Sequence, residues 1–174
     1  ESIKLAYLPS LGRVRLRLST KGSDLEALKA SLNEQIEKVI PLIEDIYYGS
    51  EEDQSIESLI AHKLKKMGKT LSCAESCTGG AIATRFTSQP GASIFFKGSA
   101  VTYAVESKTR LLGVKSNLID SYGVVSAEVA SAMALGAQKK YQSDYVIATT
   151  GNAGPSREDQ SHEVGTVFIG LATP

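Results

Sequence analysis

The run Thr70-Leu71-Ser72-Cys73-Ala74-Glu75-Ser76-Cys77-Thr78-Gly79-Gly80-Ala81-Ile82-Ala83-Thr84-Arg85-Phe86 decides the fold. Thr70 to Ala74 is short and mostly apolar and reads as a buried strand. Thr78-Gly79-Gly80 is turn chemistry, and Ala81 to Phe86 is an alanine-rich helical segment. Upstream, Ile56, Leu59, Ile60, Leu64 and Met67 form one helical stripe that stops at Gly68. Lys63, Lys65, Lys66 and Lys69 gather near its carboxyl end, where they suit the helix dipole. The order is therefore helix, strand, turn, helix, and such alternation predicts a parallel sheet.

Downstream the pattern continues. A strand is expected within Phe95 to Ala104, a short helix from Glu106 to Leu112 ended by Gly113, and a helix capped by Ser126 that carries Val129, Met133, Ala137 and Tyr141. Tyr145 to Thr149 and Thr166 to Leu171 read as further strands. The fold class is α/β, a three-layer α/β/α sandwich with a mainly parallel sheet. The connection from Gly151 to Gly165 is long and polar, which marks a candidate functional loop.

Ahead of this region, Ile3, Leu5 and Tyr7 alternate with polar or small residues, and Val14, Leu16 and Leu18 alternate with Arg13, Arg15 and Arg17. With Pro9-Ser10-Leu11-Gly12 between them they read as two adjacent strands. Leu25, Leu28, Leu32, Ile36 and Val39 then recur at helical spacing, with Ser23 or Asp24 as the cap. Ser50-Glu51-Glu52-Asp53 suits a boundary. The expected organisation is a small α/β domain over residues 1–50 and a second domain over 54–174.

Composition narrows the function. Of 174 residues, 42% are hydrophobic and 22% charged, a globular balance that excludes wholesale disorder. Lysines and arginines match the acids in number, eleven of each up to residue 70 and eight of each after it. Neither half is a polyanion binder by bulk charge, so nucleic acid is not an expected partner. No apolar run approaches the ~18 residues needed to cross a bilayer, and Glu1-Ser2-Ile3-Lys4-Leu5 lacks the order of a signal peptide. Two cysteines without a disulfide framework fit a reducing compartment, and the expected location is cytoplasmic. The absent initiator methionine suggests a portion of a longer protein.

Chemistry concentrates after the first buried strand. Ala74-Glu75-Ser76-Cys77-Thr78-Gly79-Gly80 lies where open α/β sheets bind ligands. Gly79 and Gly80 would let a ligand approach the backbone, and free amides at a helix start can hold a phosphate or an oxyanion. A serine such as Ser76 needs a base to become a nucleophile. His62, on the polar side of a lysine-rich helix, and His162, in the polar loop, read as surface residues. A lysine serves when its amine is neutral, and Lys108, five residues after Tyr103, is the candidate. Spacing alone favours a surface lysine and a core tyrosine. A Cys77 thiol near a helix start is a rival nucleophile, although a small buried cysteine is the commoner outcome. Cys73 and Cys77 form no C-x-x-C motif and have no partners for a zinc set, so no metal is expected. Arg13, Arg15 and Arg17 share a strand face that either contacts phosphates or faces solvent.

Residues 54–174 resemble the C-terminal domain of the CinA proteins, also found alone as the PncC amidases. The likeness is carried by Ala74 to Gly80, by Gly98 to Lys108 with Val101-Thr102-Tyr103, by Leu111-Leu112-Gly113-Val114 and by Gly123-Val124-Val125-Ser126. It extends to Thr150-Gly151-Asn152-Ala153-Gly154-Pro155 and Val164-Gly165-Thr166-Val167. Residues 1–50 resemble the small KH-like middle domain of full-length CinA, without the molybdopterin-binding-like domain. The resemblance implies hydrolysis of the carboxamide of nicotinamide mononucleotide to nicotinate mononucleotide and ammonia, with no cofactor or metal. It implies Ser76 as nucleophile, Lys108 and Tyr103 as the proton-transfer and positioning group, and Glu75 and Thr150 as further active-site positions. Thr78, Gly79 and Gly80 are added here as substrate-binding candidates through their amides. The expected partners are a small-molecule nucleotide and further copies of the chain, with no membrane. The rival expectation is a nucleotide-binding or protein-interaction module without amidase turnover.

Overall fold

In a computed structural model the chain is described over residues 3–10, 12–47, 49–50, 55–155 and 162–174. Glu51, Glu52 and Asp53 of the expected boundary run lie outside these residues, as do Ser156 and Arg157 of the polar loop. The chain divides into two compact units, Glu1–Ser50 and Glu51–Pro174.

The N-terminal unit is an antiparallel hairpin and a helix. Strands β1 (Lys4–Ser10) and β2 (Arg13–Ser19) pair from Lys4 opposite Ser19 to Ser10 opposite Arg13. Helix α1 (Leu25–Val39) starts at Asp24, whose carboxylate accepts the Glu26 and Ala27 amides at 3.1 Å, a cap that stabilises by about 1 kcal/mol. A 3-10 turn, Ile40–Ile43, follows. No described residue of this unit is fully buried, and Tyr7 and Val14 are mostly exposed.

The second unit holds a four-stranded mixed sheet. Its elements are α2 (Ile56–Met67), β3 (Leu71–Glu75), α3 (Ala81–Thr87), β4 (Phe96–Val101), α4 (Val105–Leu112), α5 (Ser116–Tyr122), α6 (Ala127–Tyr141), β5 (Tyr145–Gly151) and β6 (Val167–Ala172). The sheet order is β4-β3-β5-β6. β3 runs parallel to both neighbours, with Glu75 opposite Val101 and Ala74 opposite Ala148. β6 is antiparallel to β5, from Val146 opposite Ala172 to Gly151 opposite Val167. The sheet is mixed, where helix-strand alternation alone predicts a parallel one.

Two cores fill the two faces. Alternate side chains of β3 divide between them, as the pleat requires. Leu71 and Cys73 pack with Ala61, Leu64, Phe86 and Phe95 beneath α2 and α3. Ala74 packs with Val129, Met133, Ala137, Val146 and Ala148 beneath α6. Phe86 meets Phe95 edge-on at 6.3 Å, and Lys65 lies 5.5 Å above the Phe95 ring. Helix α5 is an element that the hydrophobic periodicity does not announce. Its seven residues carry no side-chain N-cap bond and bury nothing fully.

Glycine sets two approaches to α6. A Cβ on Gly136 would lie 1.9 Å from the Leu112 carbonyl oxygen, and one on Gly170 would lie 2.3 Å from the Ala130 carbonyl oxygen. Gly136→Ala is therefore expected to force α4 and α6 apart and lower stability by about 1–3 kcal/mol, read from urea unfolding at unchanged m.

Asp144 ties the starts of β3 and β5. Its carboxylate accepts the Lys69 ammonium at 2.7 Å and the Thr70 amide and hydroxyl at 2.8 and 2.7 Å. These bonds, the Lys69 one foremost, hold its carboxyl down at about 2. A depressed carboxyl contributes stability that is full above the unfolded value near 4 and lost as pH falls through about 2. Asp144→Asn is expected to lower the Tm at pH 7 and to flatten the loss of Tm between about pH 4 and 2, measured by calorimetry.

Candidate active site

The parallel arrangement puts the carboxyl ends of β3, β4 and β5 at one edge of the sheet. From β3 the chain passes through α3 to β4 on one side. From β4 it returns across β3, through α4 to α6, to reach β5 on the other side. The crevice at that reversal is where open α/β sheets place ligands. Three loops meet there: Ser76 to Gly80 after β3, Thr102 to Ala104 after β4, and Asn152 to Pro155 after β5. A small cleft is lined by Ser76, Cys77, Tyr103, Gly151, Asn152, Ala153 and Gly154.

Lys108 and Ser76 meet at this edge. The Lys108 Nζ lies 3.0 Å from the Ser76 Oγ and donates to the carbonyl oxygens of Thr102 at 2.7 Å and Tyr103 at 3.0 Å. Lys108 is 1% exposed and Ser76 8%. Placement follows from local structure. α4 begins directly after the β4 loop, so its first turn points the Lys108 stem inward beneath the Thr102 and Tyr103 carbonyls. Thr102 is itself fixed, since its amide donates to the Glu75 carbonyl oxygen at 2.7 Å. The surface reading of Lys108 does not hold.

Glu75 is fully buried and is not a cleft residue. One carboxylate oxygen accepts the Thr78 hydroxyl at 2.7 Å and the Gly80 and Ile82 amides at 3.0 and 3.1 Å. The other accepts the Ala83 amide at 2.9 Å. The carboxylate thus caps α3 from within, meeting amides that a helix start would otherwise leave without partners. This corrects the expectation for Gly79 and Gly80. The Gly80 amide is given to Glu75 and the Gly79 amide to the Ser76 carbonyl oxygen, so neither faces a ligand. Their positive φ angles, +60° and +99°, serve the turn itself.

Thr78 and Thr150 are likewise engaged by the protein. The Thr78 hydroxyl bonds Glu75 and the Thr149 hydroxyl, the latter at 2.8 Å. Thr150 is 1% exposed and donates to the Val124 carbonyl oxygen at 2.7 Å. The pleat of β5 points Thr149 toward the Thr78 turn and Thr150 toward the α6 face. Tyr103 contributes its carbonyl to the lysine, while its side chain is 60% exposed at the cleft.

The cleft wall that residue chemistry did not single out is Gly151 to Gly154. Asn152 fastens it: its amide donates to the Thr166 carbonyl, its carbonyl accepts the Gly165 amide, and its side-chain nitrogen donates to the His162 carbonyl at 3.0 Å. The length and polarity of the loop were the available signal. His162 packs its ring edge against Phe168, and His62 is exposed on α2, so neither histidine lines the cleft. Among the described residues no three His, Cys, Asp or Glu side chains group as a metal site, and no helix is long and apolar enough to cross a membrane.

The cysteines differ from the serine. Burial pushes the Cys73 thiol up to about 12, helped by the Glu75 carboxylate. Burial also pushes Cys77 up, and the neighbouring amides, Lys108 and Thr149 only partly offset it. Maleimide at pH 7.5 is expected to leave Cys73 unlabelled in the folded chain and to label Cys77 more slowly than a free thiol. Both should label in denaturant, read by mass spectrometry.

Comparison with known proteins gives a consistent set. The family described as the CinA C-terminal domain matches residues 53–174. A CinA-like protein of Flavobacterium psychrophilum is 51% identical over 172 residues, covering 99% of this chain and 41% of that protein. The crystal structure of a competence-damaged protein (CinA) superfamily member from Escherichia coli aligns with TM-score 0.68 at 29% identity, over 74% of this chain and 76% of that one. A competence or damage-inducible protein from Enterobacter asburiae aligns with TM-score 0.63 at 32% identity, over 64% of this chain and 70% of that one. The chain spans about two fifths of the length of the curated relatives it matches.

Proposed function

This chain belongs to the CinA family through its C-terminal domain, and we propose that it hydrolyses the carboxamide of nicotinamide mononucleotide to nicotinate mononucleotide and ammonia. The observation that carries the reading is the 3.0 Å contact between the Lys108 Nζ and the Ser76 Oγ, both sunk in the fold at the edge of a cleft. Two carbonyl oxygens hold the amine by two of its hydrogens. In the neutral amine the remaining position is a lone pair directed at the serine hydroxyl, which then donates along the same contact.

Ser76 gives its proton to Lys108 as its oxygen bonds to the amide carbon, and the carbonyl electrons move onto oxygen. The tetrahedral adduct collapses, the carbon-nitrogen bond breaks, and the departing nitrogen takes the proton from Lys108 to leave as ammonia. Water then gives a proton to the regenerated amine and attacks the ester. The second adduct expels the Ser76 oxygen, which recovers its proton, and the carboxylate product leaves. In this reading the amides of Cys77 and Thr78, which lie beside the Cys77 thiol, receive the oxyanion, because those of Gly79 and Gly80 are committed elsewhere. The N-terminal unit is read as the KH-like domain of such proteins, on its hairpin and single helix.

Ammonia release from nicotinamide mononucleotide tests the reading. Ser76→Ala is expected to lower kcat by about a thousandfold or more and Lys108→Met by about a hundredfold or more, each at unchanged Tm. Cys77→Ala is expected to stay within severalfold of the unaltered chain. Retained turnover in Ser76→Ala, or its loss in Cys77→Ala, rejects the assigned nucleophile.

A further inference from the structure

The cleft has two unlike walls. β4 and β5 flank β3 on opposite sides, so Tyr103, just after β4, and Gly151 to Gly154, ending β5, stand on either side of Ser76. Tyr103 lines one wall. The other is backbone carrying only Gly151, Asn152, Ala153 and Gly154, and the Asn152 side chain is turned away to the His162 carbonyl. A gap between a ring and a strip of nearly bare backbone fits a flat group better than a branched one.

The Tyr103 ring is free for that task. It is 60% exposed, although it neighbours a residue with no exposure, Thr102. It is also poorly placed for proton relay at the amine. A lysine nitrogen has three positions besides its carbon, and Ser76, the Thr102 carbonyl and the Tyr103 carbonyl occupy three within 3.0 Å. The phenol has no vacant place on that nitrogen.

We propose that the Tyr103 side chain is a stacking platform that selects a flat, electron-poor heteroaromatic ring bearing the amide, and that its hydroxyl takes no part in the reaction. The inference rests on the amidase reading for the position of the amide at Ser76. A positively charged pyridine ring suits the electron-rich face of a tyrosine, through both stacking and cation–π attraction. The aromatic face, not the hydroxyl, is then the functional part.

The test measures binding of nicotinamide mononucleotide by calorimetry to the 174-residue chain carrying Ser76→Ala, alone and combined with Tyr103→Phe or Tyr103→Leu. Phenylalanine is expected to bind within about twofold, and leucine, apolar but not aromatic, about tenfold or more weaker. With Ser76 present, Tyr103→Leu should raise KM more than it lowers kcat. Equal affinities for Phe and Leu overturn the platform, and so does a Phe variant that binds normally but loses turnover. Absence of binding to Ser76→Ala also overturns it. Binding without ammonia release from the unaltered chain overturns the amidase reading instead, and the Phe-against-Leu ranking still decides the platform.

Discussion

A single carboxylate organises the functional edge of the second unit. Glu75 sits at the end of the central strand with no exposure, where a charged group is costly unless donors surround it. Three backbone amides and one hydroxyl do so. The same four bonds fix the turn from Ser76 to Gly80, because the residues that donate lie on both sides of its two left-handed glycines. In many α/β proteins such a helix start receives a ligand's anion. Here the protein supplies its own.

The backbone of Glu75 carries the order to the next loop. Its carbonyl accepts the Thr102 amide, and the Thr102 and Tyr103 carbonyls in turn hold the Lys108 amine against Ser76. Serine, from the turn after β3, and lysine, from the first turn of α4, are thus oriented by one strand end. Burial sharpens the contact, since a hydrogen bond shielded from water is electrostatically stronger than one in water. The cysteines close by illustrate the opposite effect, because burial pushes both thiols above their ordinary value and favours the protonated form.

Strand order explains why the cleft lies beside Ser76. β3 has its two neighbours on opposite sides and crossovers on opposite faces, so α3, which follows β3, and α4, which follows β4, leave that edge in different directions with space between them. β6 pairs antiparallel with β5, and Asn152, just after β5, bonds to Thr166 and Gly165, just before β6. Small residues, Gly151, Ala153 and Gly154, line the cleft there.

Local signals in the amino-acid sequence determined most elements of the fold. The stripe of α2, its left-handed Gly68 end, the Ser126 cap of α6 and the alternation of β1 and β2 depend on neighbours a few residues away, and propensity and periodicity register them directly. The turn at Ser76 was legible for the same reason. α5 was not, since a seven-residue helix without a cap leaves a weak pattern. Only the tertiary structure decided that Lys108 is buried and meets a serine thirty-two residues earlier, that Glu75 faces inward, and that Thr149 rather than Thr150 touches the turn. Each of these depends on which strands become neighbours and on which side of the pleat a side chain falls, and no short-range spacing encodes either.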